Sequence, residues 1–142
     1  MFKNILLATD LSAVSHIVAR KARDLADKFN AKLSAVYVLE YTPIVYGEGE
    51  YSISLDSGLL NVFEKNARSA LAQLGKDFGI PDEQQYMEIG SARDVVIDLA
   101  DKIKADLLVI GSHGKHGLSL LLGSKANAIL HAAKCNVIAV RV

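Results

Sequence analysis

The sequence predicts one α/β domain over residues 1–142, a five-stranded parallel sheet with helices on both faces. Three observations carry that expectation. Four short apolar runs are continuous rather than alternating, the signature of strands buried on both faces. Segments with a 3.6-residue apolar period lie between them. A chain of 142 residues has room for one core, and no repeat or low-complexity linker divides it.

The first run, Ile5-Leu6-Leu7-Ala8, stops at Thr9-Asp10. A helix follows with Val14, Val18, Ala22, Leu25, Ala26 and Phe29 on one face, and Asn30 suits its C-cap. The second strand is 33–39, Leu33 to Leu39. After it, Tyr41 to Ser57 has no helical or strand period, and Gly47-Glu48-Gly49-Glu50 marks a long loop, which is either functional or a solvated flap.

The second helix runs from about Gly58 to Phe78, with Leu60, Phe63, Ala67, Ala70, Leu71 and Leu74 inward, and Gly79 and Pro81 end it. A weaker strand surrounds Tyr86-Met87-Glu88-Ile89. Ser91-Ala92-Arg93-Asp94 has a capping-box pattern opening a helix that carries Val95, Val96, Leu99, Ala100 and Ile103. Strand 106–110 ends at a glycine-rich stretch. The fourth helix starts near Ser124, is filled by Ala128, Leu130 and Ala132, and stops before Lys134 and Asn136. Val137 to Val140 is the last strand. This βαβαβαβαβ order, with right-handed crossovers, yields the parallel sheet.

Composition narrows the function. Sixteen Lys+Arg balance sixteen Asp+Glu, and no basic cluster interleaved with aromatics occurs, so no nucleic-acid partner is expected. The run after Met1 is too brief for a signal segment, and no stretch approaches ~20 apolar residues, so a cytoplasmic protein without membrane association is expected. Cys135 reads as a reduced structural thiol.

In an open parallel sheet, ligands bind beyond the carboxyl ends of the strands where strand order reverses. Two ends are equipped for this. One carries Ala8-Thr9-Asp10; the other carries Gly111-Ser112-His113-Gly114-Lys115-His116-Gly117, with Gly123-Ser124 opening a helix. Glycines leave backbone amides free to face an anion, and a helix N-terminus favours phosphate. The same glycines also suit a tight strand-to-helix connection, and Asp10 also suits a helix cap. His113-x-x-His116 lacks further ligands for zinc, and His16 and His131 read as ordinary helical residues. There is no Walker A loop, no nucleophile elbow and no carboxylate pair, so no catalytic residue is assigned.

Ile5-Leu6-Leu7-Ala8-Thr9-Asp10, together with Leu108-Val109-Ile110-Gly111-Ser112-His113-Gly114 and Gly123-Ser124, resembles the universal stress protein family over the whole chain. The resemblance implies a Rossmann-like fold of the adenine nucleotide alpha hydrolase type and a homodimer through Asn136–Val142. It also implies, for one branch, ATP or AMP binding through G-x2-G-x9-G-[ST]. Gly111, Gly114, Gly123 and Ser124 match that pattern, but eight residues rather than nine separate Gly114 from Gly123, as in the nucleotide-free A-type branch. Thr9, Ser112, His113, Lys115 and Gly117 complete the expected site. Ala8 and Asp10 are implied near the ribose and adenine, and Val38 against the adenine edge. Three readings follow: a nucleotide-binding module acting on an unidentified protein partner, a slow ATPase using Lys115 and Mg²⁺, and a nucleotide-free dimeric scaffold.

Overall fold

The structure, a computed structural model, describes residues 1–40, 44–46, 51–53, 57–112 and 124–142. Its main sheet has five parallel strands: β1 (Asn4–Thr9), β2 (Lys32–Leu39), β5 (Gln85–Ile89), β6 (Leu107–Gly111) and β7 (Asn136–Val140). Their order in space is β5-β2-β1-β6-β7. A two-stranded antiparallel ribbon, β3 (Ile44–Tyr46) and β4 (Tyr51–Ile53), interrupts the long segment after β2. This corrects the expectation of a loop without regular structure over 41–57. The β-branched and aromatic residues flanking the Gly-Glu repeat favour strands, but three residues on each side are too few to show a period.

Strand alternation divides the core in two. Ile5, Leu7, Leu33, Ala35, Leu107 and Val109 point to one face, where α1 (Ser15–Phe29) and α2 (Ser57–Phe78) cover them. Leu6, Val36, Leu108 and Ile110 point to the other, under α3 (Ala92–Lys102) and α4 (Ser124–Ala132). Because both faces are covered, the strands read as continuous apolar runs.

Helix ends follow local chemistry, with one exception. Asn30 adopts the left-handed conformation (φ 52°, ψ 45°) and its N–H reaches the Ala26 and Asp27 carbonyls, closing α1 as expected. Gly79, at φ 67°, ends α2 in the same way. Ser91 occupies the N-cap position of α3, but its side chain makes no capping bond. Asp94 has a shorter side chain than the Glu or Gln of a capping box, and its carboxylate accepts from Arg93 at 3.1 Å. The Ser91 carbonyl instead accepts the Val95 N–H at 2.9 Å.

The burial of α2 differs from the expected one. In α2, Ala67, Leu71, Leu74 and Phe78 are buried, whereas Leu60 is half-buried, Ala70 is exposed and Phe63 is 42% exposed. A helix of 22 residues is about 33 Å long and outruns the strands beneath it, so its first turns extend past the sheet. In α4, Ala126 and Ile129 enter the core and Leu130 stays outside. Among the described residues, no helix is long and apolar enough to cross a membrane. Cys135 is half-buried, and burial, helped by the Asp101 and Asp106 carboxylates, pushes its thiol above the usual range.

Candidate functional site at the ends of β1 and β6

The crevice begins with a change of register. β1 pairs with β2 as far as Thr9 with Tyr37, and β6 pairs with β7 as far as Gly111 with Val140. Pairing between β1 and β6 stops earlier, at Leu7 with Val109. Their last residues therefore lack ladder bonds to each other, and the sheet opens at its carboxyl edge between them. This is also where strand order reverses: the chain steps from β1 outward through β2 to β5, then returns to the other side of β1 as β6. Backbone groups left unpaired at such an opening face a ligand or water.

The turn after β1 is held by its own side chains. Thr9 Oγ1 accepts the Leu11 N–H at 3.1 Å, and Asp10 Oδ1 accepts the Ser12 N–H at 3.0 Å. Between them Leu11 takes a left-handed conformation, φ 55°, which costs a non-glycine residue on the order of 1 kcal/mol and persists only where surroundings impose it. Asp10 thus braces the turn rather than capping α1, which starts at Ser15 with Val14 as its N-cap and no side-chain cap. The second Asp10 oxygen has no donor among the described residues. Ser12 Oγ is buried with no hydrogen-bond partner among the described residues, and a buried hydroxyl left unpaired costs about 1–3 kcal/mol.

The structure places the other expected residues as follows. Ala8 and Val38 pack against the α3/α4 core, so they lie on the same side of the sheet near its carboxyl edge. Gly111 ends β6. Ser112 is drawn toward β7: its N–H donates to the Val140 carbonyl at 2.8 Å, and its Oγ accepts the Val142 N–H at 3.4 Å. Ser124 is the first residue of α4. His113, Gly114, Lys115, Gly117 and Gly123 lie outside the described residues.

Three residues at this edge escaped the sequence reading. Ser12 looks like any turn serine until its burial is seen. Glu40 directly follows β2 at the carboxyl edge of the sheet, where no local period marks it. Lys125 follows Ser124 on α4, and its Nζ lies 2.6 Å from Glu40 Oε1. That ion pair depends on a meeting of distant segments.

The family model described as the Universal stress protein family matches residues 1–141. Universal stress protein A homolog 1 of Coxiella burnetii is 46% identical over 139 residues, 98% of this chain and 96% of that protein. Among solved structures, a universal stress protein from Lactobacillus plantarum superposes with a TM-score of 0.78 at 23% identity, over 99% of this chain and 98% of that one. A universal stress protein in complex with cAMP superposes at 0.68 with 26% identity, over 99% and 97%. With a match over nearly its entire length and a relative at 46% identity, the chain belongs to the universal stress protein family.

Proposed function

We propose that this chain binds an adenine nucleotide, ATP or AMP, in the crevice between the ends of β1 and β6. Binding then alters a surface read by a protein partner rather than starting a turnover. The observation that carries this reading is the early end of β1–β6 pairing at the point where strand order reverses, with Asp10 in the turn that leaves β1 there. A carboxylate acceptor suits a ribose diol, and the start of α4 at Ser124 suits phosphate. Ala8, Thr9, Val38, Gly111 and Ser112 form the surrounding edge. Gly114, Gly123, Gly117, His113 and Lys115 are proposed from sequence as the phosphate loop, with Mg²⁺ accompanying ATP. A family member solved with cAMP supports the ligand class. The glycine loop, one residue short of the binding pattern, favours the nucleotide-free scaffold as the second reading.

Extraction of the purified protein followed by mass analysis, and calorimetric titration of the stripped protein with AMP and ATP, test the choice. Bound or titratable adenine nucleotide is expected; neither ligand binding would leave the scaffold.

The proposal includes a homodimer through β7. That strand lies at an edge of the sheet, and its free side can pair with a two-fold copy. Val140 is only 9% exposed and belongs to the α1/α2 core, so a charge there would damage the fold itself. Ala139 is exposed and is the better probe. Light scattering is expected to show a dimer for the native chain and a monomer for Ala139→Asp, with thermal midpoints of the isolated fold little changed. A native monomer would exclude the interface.

A further inference from the structure

Glu40 immediately follows β2, whose Val36 and Val38 lie on the side of the sheet covered by α3 and α4. Lys125 reaches it from the first turn of α4. Since β1 lies between β2 and β6, and α4 follows β6, the ion pair bridges two segments that flank the end of β1. The Tyr37 hydroxyl responds to the same group of charges. Burial pushes its pKa up first, Lys125 acts against that, and Asp10 and Glu40 add to it. Asp10, Glu40 and Lys125 therefore all act on the Tyr37 hydroxyl near the end of β2.

We infer that the Glu40–Lys125 ion pair is a charge selector, setting how strongly the crevice prefers nucleotides of higher or lower phosphate charge. This rests on the nucleotide reading above and adds to it a specificity determinant outside the turn and the glycine loop. The physical case is one of competition. While Lys125 is held by Glu40, its charge is largely neutralised and contributes little attraction to a phosphate entering beside Ser124. Removing the Glu40 charge frees the ammonium next to the start of α4, where anions are already favoured. Removing the Lys125 charge leaves Glu40 and Asp10 unbalanced, and both repel phosphate. Adenosine, with no phosphate, senses neither change; AMP carries about two charges and ATP more, so the effects must grow along that series.

Both side chains are accessible, Lys125 at 68% and Glu40 at 36%, so amide replacements leave the core intact. They also confine the interaction to the range of an exposed pair.

The test is a calorimetric titration of the full chain with adenosine, AMP and ATP, using the native protein, Glu40→Gln, Lys125→Gln and Lys134→Gln. The last removes the same charge as Lys125→Gln from a separate surface pair with Asp101. Relative to adenosine, ATP affinity is expected to rise about fivefold in Glu40→Gln and to fall about fivefold in Lys125→Gln. AMP should show smaller changes in the same directions, Lys134→Gln none, and all should shrink on raising salt from about 0.05 to about 0.5 M. Equal changes for the three ligands would mean that the pair only positions α4, and unchanged affinities for all three would mean that it has no role; either overturns the selector. If the native protein binds none of the three, the nucleotide reading itself fails, and the selector with it.

Discussion

Leu108→Ala is expected to lower the stability of the fold by about 3 kcal/mol, the middle of the range for truncating a buried leucine. Leu108 is fully buried at the centre of β6, in register with Leu6 of β1 and with Val137 of β7. It packs in the cluster that joins the sheet to α3 and α4. Strands on both sides and helices above leave the surroundings little freedom to collapse into the space left by the missing methyl groups. Dispersion contacts are therefore lost along with the transfer free energy. Against a total stability of about 5–15 kcal/mol, the loss is large, and a thermal midpoint lower by roughly 10 °C follows for a domain of this size. Urea unfolding with an unchanged m-value measures it. Leu130→Ala is the internal comparison: Leu130 is 41% exposed on α4, and its truncation is expected to change stability by less than about 0.5 kcal/mol. Similar losses for the two variants would contradict the assignment of which α4 face is buried.

The second large effect concerns the ligand. At about 100 times its dissociation constant, a nucleotide that binds only the folded chain stabilises it by roughly 2.7 kcal/mol. A rise in melting midpoint of about 8–10 °C should accompany saturation with AMP or ATP. Gly114→Leu should abolish that rise while leaving the ligand-free midpoint close to the native value. Gly114 lies in the glycine-rich stretch after β6, where the proposed loop uses backbone amides and a side chain would block the approach of phosphate. An undisturbed shift in Gly114→Leu would remove this loop from the site. A native protein whose midpoint neither nucleotide moves would instead return the chain to the scaffold reading.

Most of the architecture was legible from the sequence alone. The apolar runs at 5–8, 33–39, 106–110 and 137–140 and the helical periods between them are properties of a few neighbouring residues. Each reports directly on whether one or both faces of its element are covered. Asn30 and Gly79 likewise announce left-handed helix ends, because their tolerance of positive φ is intrinsic. The Ser91 box misled, because the pattern admits a short carboxylate that forms a different bond. The β3–β4 ribbon was too brief to show a period. What the sequence by itself determined is thus the type and order of the elements of the main sheet and the presence of a glycine-rich stretch after β6. Only the tertiary structure decided that β1 and β6 part after Leu7 and Val109, that the Ser12 hydroxyl is buried with no partner among the described residues, and that Lys125 closes on Glu40. These features arise where segments far apart in the chain are brought together by strand order. Local propensity carries no information about which distant side chains will meet there.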